Sequence, residues 1–176
     1  MTYSSTLNLV GFCDADWASS SDDRRSTSGY CVYLGNGLVS WCLKKQQIVS
    51  KLPIEAEYRS LAGLTAEITW LISLLSELRI TLPRTPAVWC DNLSTVLLSA
   101  NPILHARTKH IELDLYFVRK KVIRKLIDVR HVPSSDQIAY LFTKAIPSSR
   151  FPLLRSKLKV LDLNTLSLRG DVRIIK

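Results

Sequence analysis

The stretch LNLVGFCDAD, residues 7–16, is an apolar run that becomes acidic at its end. Apolar runs of this length, bounded by polar residues, are typical of buried strands. A polar loop follows, and then two β-rich runs, SGYCVYLG and GLVSWCLKKQQIVS, which are separated by Gly35-Asn36-Gly37. A short Gly/Asn loop between two such runs indicates a hairpin. The start of the chain therefore predicts three antiparallel strands.

From residue 55 to about residue 78 the hydrophobic period is helical. Leucine and isoleucine recur at alternating steps of three and four and form one apolar stripe. The further predicted elements are a strand at residues 87–91, helices at 92–101 and about 107–126, a strand at 127–132, a helix at 136–145 and an amphipathic stretch at 150–161. This order predicts an α/β fold in which a five-stranded mixed sheet is flanked by helices. We place one domain at residues 7–160 and a polar C-terminal tail at 161–176.

Composition and charge limit the possible functions. Hydrophobic residues make up 47% of the chain, which allows a packed core. The sequence contains no apolar run long enough to predict a membrane span. The net charge of +9 indicates a polyanionic partner, nucleic acid before membrane, unless the chain is a fragment whose other parts carry the acid. The N-terminus has no signal-peptide pattern, and the four cysteines show no metal-binding spacing. We therefore expect reduced core thiols in an intracellular protein and no zinc site.

Two aspartates follow predicted strands. Asp14 lies at the end of the first strand and Asp91 at the end of the fourth. If these strands are parallel neighbours, both carboxylates emerge at the edge where open α/β sheets place their sites. An isolated aspartate after a strand is more often a turn residue or a helix cap. A helical glutamate that points to the same place favours a functional cluster.

The long helix offers two such glutamates. Glu57 is in line with the apolar stripe and faces the sheet, whereas Glu55 is rotated by roughly 200° from it and faces away. Clustered inward carboxylates require either a bound cation or strongly raised pKa values. With only oxygen ligands the natural metal is Mg²⁺ or Mn²⁺, and two such ions suit phosphodiester hydrolysis.

Several motifs occur together in a fixed order. DADWASSSDDRRSTSGYCVYLG, VSWCLKKQ, EAEYRSLA, WCDN, NPILHARTKHIE and HVPSSDQIA resemble the ribonuclease H domain at the C-terminal end of the Pol polyprotein of copia-type LTR retrotransposons, in the form common in plants. The resemblance implies a ribonuclease H-like fold and cleavage of the RNA strand of RNA–DNA hybrids during reverse transcription, with two Mg²⁺ ions, or Mn²⁺, as cofactors. It also implies the reverse transcriptase part of the same polyprotein as a partner, and a location in cytoplasmic virus-like particles or in the nucleus.

The resemblance assigns metal ligands. Asp14 matches the first acid of the DADW motif and would bridge both metals. Glu57 and Asp91 match the acids of the A-E-Y and C-D-N motifs. Asp16, on the same side of the strand as Asp14, is interpreted either as a supporting acid or as a solvated turn residue.

Histidines are the other candidates from the resemblance. His131 lies where related enzymes keep a histidine in a mobile loop that helps proton transfer or product release. A structural role is the alternative for a single histidine after a strand. For His105 and His110, in the HARTKH signature, we expect packing and hydrogen bonding.

One expected acid is absent. The family carries a fourth acid in a pattern like Q-x-A-D-x-x-T-K, and here Tyr140 occupies that position in QIAYLFTK. A neutral phenol with a pKa of about 10 is a poor substitute for a carboxylate on Mg²⁺. Asp136, one turn earlier, is a possible substitute only with a displacement of about 5 Å, so we expect it to cap the helix instead. We therefore predict a diverged copy whose cleavage is weakened or lost.

The predicted helix at 107–126 is strongly basic. Five residues off its apolar stripe are candidate nucleic-acid contacts: Arg119, Lys120, Lys121, Arg124 and Lys125. Their alternative interpretation is a solvated helix face. Two hypotheses thus stand beside the nuclease: a folded but inactive nucleic-acid-binding domain, and an integrase or transposase core, against which the copia-type motifs argue.

Overall fold

A five-stranded mixed sheet organises the fold in the computed structural model, which describes residues 7–101 and 109–158. The strands are β1 (Leu9–Asp16), β2 (Thr27–Leu34), β3 (Gly37–Lys45), β4 (Ala87–Cys90) and β5 (Asp128–His131). They lie in the order β3-β2-β1-β4-β5. β1, β2 and β3 are antiparallel neighbours, whereas β4 runs parallel to β1 and β5 runs parallel to β4. The predicted mixed sheet is confirmed, and β1 lies at its centre.

The hairpin between β2 and β3 forms at the predicted place. Leu34 pairs with Gly37, so Gly35 and Asn36 make the connection. Gly35 has a positive φ of 59°, a conformation that glycine adopts without steric cost. Its backbone N–H donates to the Asn8 carbonyl at 2.8 Å, which ties the turn to the start of β1.

Helices flank the sheet. In the described residues they are α1 (Pro53–Glu77), α2 (Leu93–Ala100), α3 (Glu112–Ile123), α4 (Tyr140–Thr143) and α5 (Phe151–Leu158). The predicted apolar stripe of α1 is buried, with Leu61, Leu64 and Ile68 fully shielded from solvent. The last two lie over Gly11 of β1, where a side chain would collide with them. Each such burial stabilises by about 1.5–3 kcal/mol, so the stripe fixes which face of α1 meets the sheet.

The basic helix is shorter than predicted. A 3₁₀ turn at Lys109–Ile111 precedes α3, and α3 ends at Ile123 rather than near residue 126. It ends there because Lys125 takes a left-handed conformation with φ of 54°, which a helix cannot continue. The predicted start at residues 107–108 lies outside the described residues.

The helix predicted at 136–145 is reduced to the four residues of α4. Gln137 explains the difference, because its side chain is fully buried and engaged elsewhere. Its Nε2 donates to the Cys13 carbonyl of β1 at 2.9 Å, and its Oε1 accepts from the Ala139 N–H at 3.1 Å. These bonds hold residues 137–139 in turns against the sheet, so the helix begins only at Tyr140.

β2 and α4 approach closely at Gly29, whose partner across the ladder is Asp14. A Cβ atom at Gly29 would lie 2.7 Å from Cβ of Phe142 and 2.8 Å from Cγ2 of Thr143. Contacts this short are not tolerated, so only glycine lets α4 lie directly on the sheet beside Asp14.

Three further expectations concern the chain as a whole. Within the described residues, no helix combines the length and the apolar character that a bilayer crossing requires. All four cysteines are free thiols. Cys13, Cys31 and Cys90 are buried, as expected of core thiols, whereas Cys42 is only partly buried. The boundary placed at residue 160 and the tail at 161–176 lie outside the described residues.

Candidate active site

Three carboxylates from three elements meet at the carboxyl ends of β1 and β4. Asp14 is on β1 and is fully buried, Glu57 lies near the start of α1 and is 8% exposed, and Asp91 directly follows β4. β1 and β4 are parallel neighbours in which Cys13 pairs with Cys90. The next residue on each strand, Asp14 and Asp91, therefore emerges at the same edge of the sheet.

The two glutamates of α1 have different surroundings. Glu55 is buried, but its Oε2 accepts a hydrogen bond from the Lys51 backbone N–H at 2.7 Å and so closes the start of the helix. Oε2 of Glu57 is buried without a hydrogen-bond partner among the described residues. Glu57 is thus the glutamate available to the site.

The cluster is electrostatically unfavourable without a cation. Burial, reinforced by the neighbouring acidic groups, raises the pKa of Glu57 to about 10. Burial also raises the pKa of Asp14 to about 6, although the Thr143 hydrogen bond and the Lys144 charge lower it. Both shifts have the direction expected for inward-pointing carboxylates. Glu57 is therefore protonated at neutral pH unless a cation lies beside it.

Both carboxylate oxygens of Asp14 are bound by the end of α4. The Thr143 hydroxyl donates to Oδ2, and Nζ of Lys144 lies 3.3 Å from Oδ1. The same ammonium lies 3.7 Å from the ring centroid of Tyr140. These contacts were not predicted. The signal in the sequence is the spacing of Thr143 and Lys144, whose offsets of three and four from position 140 place all three residues on one helix face.

Tyr140 does lie at the site. Its hydroxyl donates to Oδ2 of Asp91 at 2.5 Å, and the Ser134 hydroxyl donates to the same oxygen at 3.3 Å. Burial, followed by the hydrogen bond with Asp91, raises the pKa of the Tyr140 phenol, so it remains a neutral donor. The position of the expected fourth acid is thus filled by a group that donates to a carboxylate.

Asp136 has neither of the roles considered for it. Its carboxylate is exposed and pairs with Nζ of Lys157 on α5 at 2.8 Å. It does not cap α4, whose N-cap is Ala139, without a side-chain hydrogen bond. Because the segment before Tyr140 is not helical, the premise that Asp136 lies one turn below Tyr140 is wrong.

The residues present fit a bound cation. Oε2 of Glu57 and Oδ1 of Asp91 are buried without hydrogen-bond partners among the described residues, whereas buried oxygens are normally satisfied. Together with the Cys90 sulfur, these two carboxylates offer donor atoms that all lie within 4.8 Å of one another. Cys90 was not predicted as a donor. Its position next to Asp91 at the end of a buried strand was the available signal.

The remaining candidates lie at the periphery. His131 is the last residue of β5, not part of a loop, and its Nε2 lies 3.2 Å from the backbone carbonyl of Asp91. Asp16 ends β1 and is partly buried. His110 is exposed, and His105 lies outside the described residues.

One of the five predicted nucleic-acid contacts is not available to a partner. Arg119 is buried, donating from Nε to the Leu98 carbonyl at 2.9 Å and from an Nη atom to the Asn101 carbonyl at 2.7 Å. It therefore binds the end of α2 and is not presented to a partner. The other predicted contacts are exposed or partly exposed: Lys120, Lys121, Arg124 and Lys125.

The sequence of this chain is similar to parts of known proteins. The chain is 45% identical over 155 residues to the retrovirus-related Pol polyprotein from transposon RE1 of Arabidopsis thaliana, and 44% identical over 158 residues to that from transposon RE2 of the same plant. These alignments cover 88% and 90% of the chain but only 11% of each relative. The chain thus spans about a ninth of the length of the curated relatives it matches. No family model matches it.

Solved structures share the fold. LC11-RNase H1 in complex with an RNA/DNA hybrid matches with a TM-score of 0.57 and 10% identity, over 77% of this chain and 94% of that one. The N-terminal RNase H domain of Rv2228c from Mycobacterium tuberculosis matches with a TM-score of 0.54 and 15% identity, over 87% and 97%. The predicted ribonuclease H-like fold is confirmed.

Proposed function

We infer that this chain, a homologue of the Pol polyproteins of copia-type plant transposons with a ribonuclease H-like fold, is the ribonuclease H domain of such a polyprotein. The proposed reaction is the metal-dependent endonucleolytic cleavage of the RNA strand of RNA–DNA hybrids. We also infer that cleavage is impaired, because Tyr140 occupies the position of the fourth catalytic aspartate.

The observation that carries this proposal is the convergence of Asp14, Glu57 and Asp91, with two buried carboxylate oxygens that lack hydrogen-bond partners among the described residues. These three acids would hold the metal, in the proposal two Mg²⁺ ions, with Mn²⁺ as the alternative. When bound, such ions supply an activated water and stabilise the leaving oxygen of the phosphodiester. His131, exposed beside the Asp91 backbone, is proposed to assist proton transfer or product release.

One feature supports impairment. The Tyr140 hydroxyl is neutral and donates to Oδ2 of Asp91, so one acid is missing and an oxygen of another is engaged. The Lys144 ammonium beside Asp14 does not distinguish this copy, because the family pattern also has lysine at this position. A site with fewer anionic oxygens binds Mg²⁺ more weakly, because Mg²⁺ depends on hard, charged ligands.

A second candidate function is hybrid binding without cleavage. The exposed and partly exposed cations of α3 and of the residues that follow it favour this function, because phosphate contacts require charge but no catalytic ligand. Lys120, Lys121, Arg124 and Lys125 are the proposed contacts. Recognition would depend mainly on backbone and duplex shape.

The proposed partners are an RNA–DNA hybrid and the reverse transcriptase part of the same polyprotein. Free buried thiols at Cys13, Cys31 and Cys90 favour a reducing compartment, so we propose a cytoplasmic particle or the nucleus as the location.

The test compares the natural chain with Tyr140→Asp on a labelled RNA–DNA hybrid, in Mg²⁺ and separately in Mn²⁺. We expect Tyr140→Asp to cleave at least about tenfold faster, because a metal ligand is restored. The double variant Asp14→Asn/Tyr140→Asp is the control for contaminating nuclease and should not cleave.

Equal rates for the natural chain and Tyr140→Asp would show that position 140 does not limit activity. If neither protein cleaves while both retain hybrid in a filter-binding assay, the second candidate function is correct.

A further inference from the structure

We propose that Lys144 exchanges partners at the carboxylate cluster. It is the counter-cation of Asp14 while no metal is bound, and it contacts a phosphate of the nucleic acid once a divalent cation binds Asp14. The inference rests on the proposed function, because the cation and the RNA–DNA hybrid come from it. It adds a hybrid contact that depends on the metal, and it does not require that the domain cleaves the hybrid.

Lys144 supplies a positive charge to the cluster. Its Nζ lies 3.3 Å from Oδ1 of Asp14, whose side chain is fully shielded from solvent, whereas the lysine side chain is 34% exposed. Among the ion pairs of residues 7–101 and 109–158, this is the only one that includes Asp14, Glu57 or Asp91. A buried carboxylate is costly without a cation, so Lys144 compensates the charge of Asp14 in the metal-free fold.

A divalent cation that binds Asp14 must displace this ammonium. Both oxygens of Asp14 are engaged, Oδ2 by the Thr143 hydroxyl and Oδ1 by Lys144. The hydroxyl is neutral, and a carboxylate oxygen keeps further lone pairs for a metal, so Thr143 can stay. An ammonium and a divalent cation on the same carboxylate repel each other strongly in a buried site. Metal binding therefore releases Lys144 and leaves Thr143 in place.

The released ammonium remains close to the site. The backbone N–H of Lys144 donates to the Tyr140 carbonyl at 3.0 Å, which fixes the base of the side chain, whereas its four-carbon stem is flexible. Nζ also lies 3.7 Å from the Tyr140 ring centroid, a cation–π contact that can hold the ammonium at this edge of the sheet. A phosphodiester that shares a metal ion with Asp14 would lie beside the same edge. Its phosphate is then the anion that replaces Asp14 as the partner of Lys144.

The exchange makes one phosphate contact conditional on the metal. In the metal-free fold Lys144 is neutralised by Asp14 and adds nothing to hybrid binding. With the metal bound it adds one contact, which steepens the dependence of log affinity on log salt by about 1. Lys120 on α3 provides the comparison, because it is exposed and forms no ion pair within the described part of the chain. Its phosphate contact should not depend on the metal.

Mg²⁺ binding without nucleic acid tests the first half of the exchange. In calorimetric titration, Lys144→Met should bind Mg²⁺ about three- to tenfold more tightly than the natural chain, because the competing ammonium is absent. Without Mg²⁺ the same variant should melt at a lower temperature, because Asp14 has lost its cation. A lysine with a merely structural role would lower both quantities. Lys120→Met, the matched control, should change neither.

Hybrid binding tests the second half. Fluorescence anisotropy with a labelled RNA–DNA hybrid gives the salt slope in EDTA and in Mg²⁺, read before cleavage is detectable on a denaturing gel. Lys144→Met should lower the slope by about 1 in Mg²⁺ and leave it unchanged in EDTA. Lys120→Met should lower it by about 1 in both. Lys144→Arg keeps the charge and should keep the slope of the natural chain. Circular dichroism checks folding, and Lys144→Gln replaces Lys144→Met if that variant does not fold.

Two results would overturn the proposal: Mg²⁺ affinity in Lys144→Met that is no higher than in the natural chain, or a slope change that is equal in EDTA and in Mg²⁺. Neither measurement requires cleavage, so absence of cleavage in every variant contradicts the proposed function alone. Conversely, Mg²⁺-dependent cleavage together with either of the two results removes the role of Lys144 and leaves the proposed function intact.

Discussion

The Tyr140 hydroxyl donates a hydrogen bond to Oδ2 of Asp91 at 2.5 Å. A hydrogen-bond donor therefore lies where a carboxylate acceptor is expected. On that side of the cluster a neutral donor thus replaces a negatively charged acceptor. The Lys144 ammonium contacts both the Tyr140 ring and Asp14, so a positive charge lies beside this donor at the centre of the site. Metal-free stability and metal affinity should therefore respond in opposite directions to changes at position 140.

Tyr140→Phe should separate these two effects. Removal of the hydroxyl deletes a hydrogen bond to a charged group, so the metal-free domain should lose about 1.5–3 kcal/mol of unfolding free energy. Among the described residues, Oδ2 of Asp91 then accepts only from the Ser134 hydroxyl, so Mg²⁺ should raise the melting temperature more than in the natural chain. Urea and thermal unfolding with and without Mg²⁺ measure both. Tyr116→Phe, a tyrosine 68% exposed on α3, is the control and should change neither. Equal Mg²⁺ shifts in Tyr140→Phe and the natural chain would contradict this account.

The buried Asp14 should make metal-free stability depend on pH. Folding raises its pKa from 3.8 to about 6, so the folded state holds the proton more tightly than the unfolded state. The stabilisation from the protonated Asp14 is fully present below about pH 4 and is lost as pH rises through 6. Over this window the unfolding free energy should fall by on the order of 1–3 kcal/mol. The raised pKa of Glu57 should extend the decline toward pH 10.

Asp14→Asn isolates this contribution. The pKa values of Asp23 and Asp136 are lowered, mainly by hydrogen bonds from lysines, so these acids act in the opposite direction below about pH 4. The unfolding free energies of the natural chain and of Asp14→Asn are measured by chemical denaturation from pH 4 to 7 without divalent cations. Subtracting one from the other removes the contributions of Asp23 and Asp136, which both proteins share. A difference that is constant across this range would contradict the prediction.

Arg119 should contribute to the stability of the fold, whereas the exposed Arg124 should contribute to hybrid binding. Arg119→Ala leaves the carbonyls of Leu98 and Asn101 without their guanidinium donor, so the unfolding free energy should fall by about 2–4 kcal/mol. Arg124→Ala, an exposed residue of the same basic segment, should change stability by no more than about 0.5 kcal/mol. In hybrid binding at several salt concentrations, Arg124→Ala should lower the slope of log affinity against log salt by about 1. If Arg119→Ala unfolds no more easily than Arg124→Ala, the proposed stabilisation of the fold by the buried Arg119 side chain is wrong.

Two glycines should respond in opposite ways to the same change. Gly29→Ala places a Cβ atom 2.7 Å from Phe142 and should force α4 away from Asp14, with a loss of about 1–3 kcal/mol. Gly63→Ala is exposed in the middle of α1, where its Cβ meets nothing closer than 4.0 Å, and it should stabilise by about 0.5–1 kcal/mol. Denaturant unfolding of both variants tests this. A neutral Gly29→Ala would mean that α4 does not depend on the close approach.

Periodicity predicted the fold because most elements bury a regular stripe or run. The β2–β3 hairpin and the buried face of α1 follow from local sequence patterns alone. The helix before Tyr140 was predicted too long because Gln137 looks compatible with a helix. Its bond to the Cys13 carbonyl is a contact between residues 124 positions apart, which no local pattern contains.

The site was predictable to the extent that it follows from strand ends and helix faces. Asp14, Glu57 and Asp91 were placed at one sheet edge on those grounds. The donors that bind Asp14, Thr143 and Lys144, depend on how closely α4 packs on β2, and therefore on Gly29. Arg119 was misassigned because an arginine beside an apolar stripe normally extends to solvent, whereas here the end of α2 provides buried carbonyls for it.

The single turn that carries Tyr140 also has a genetic consequence. Tyrosine and aspartate codons differ only in their first base, so one transversion would exchange the phenol for a carboxylate. Thr143 and Lys144 already anchor that turn to Asp14, so the exchange requires no accompanying change in the backbone. Under the proposed function, the defect in this copy is a point lesion that one reversion repairs.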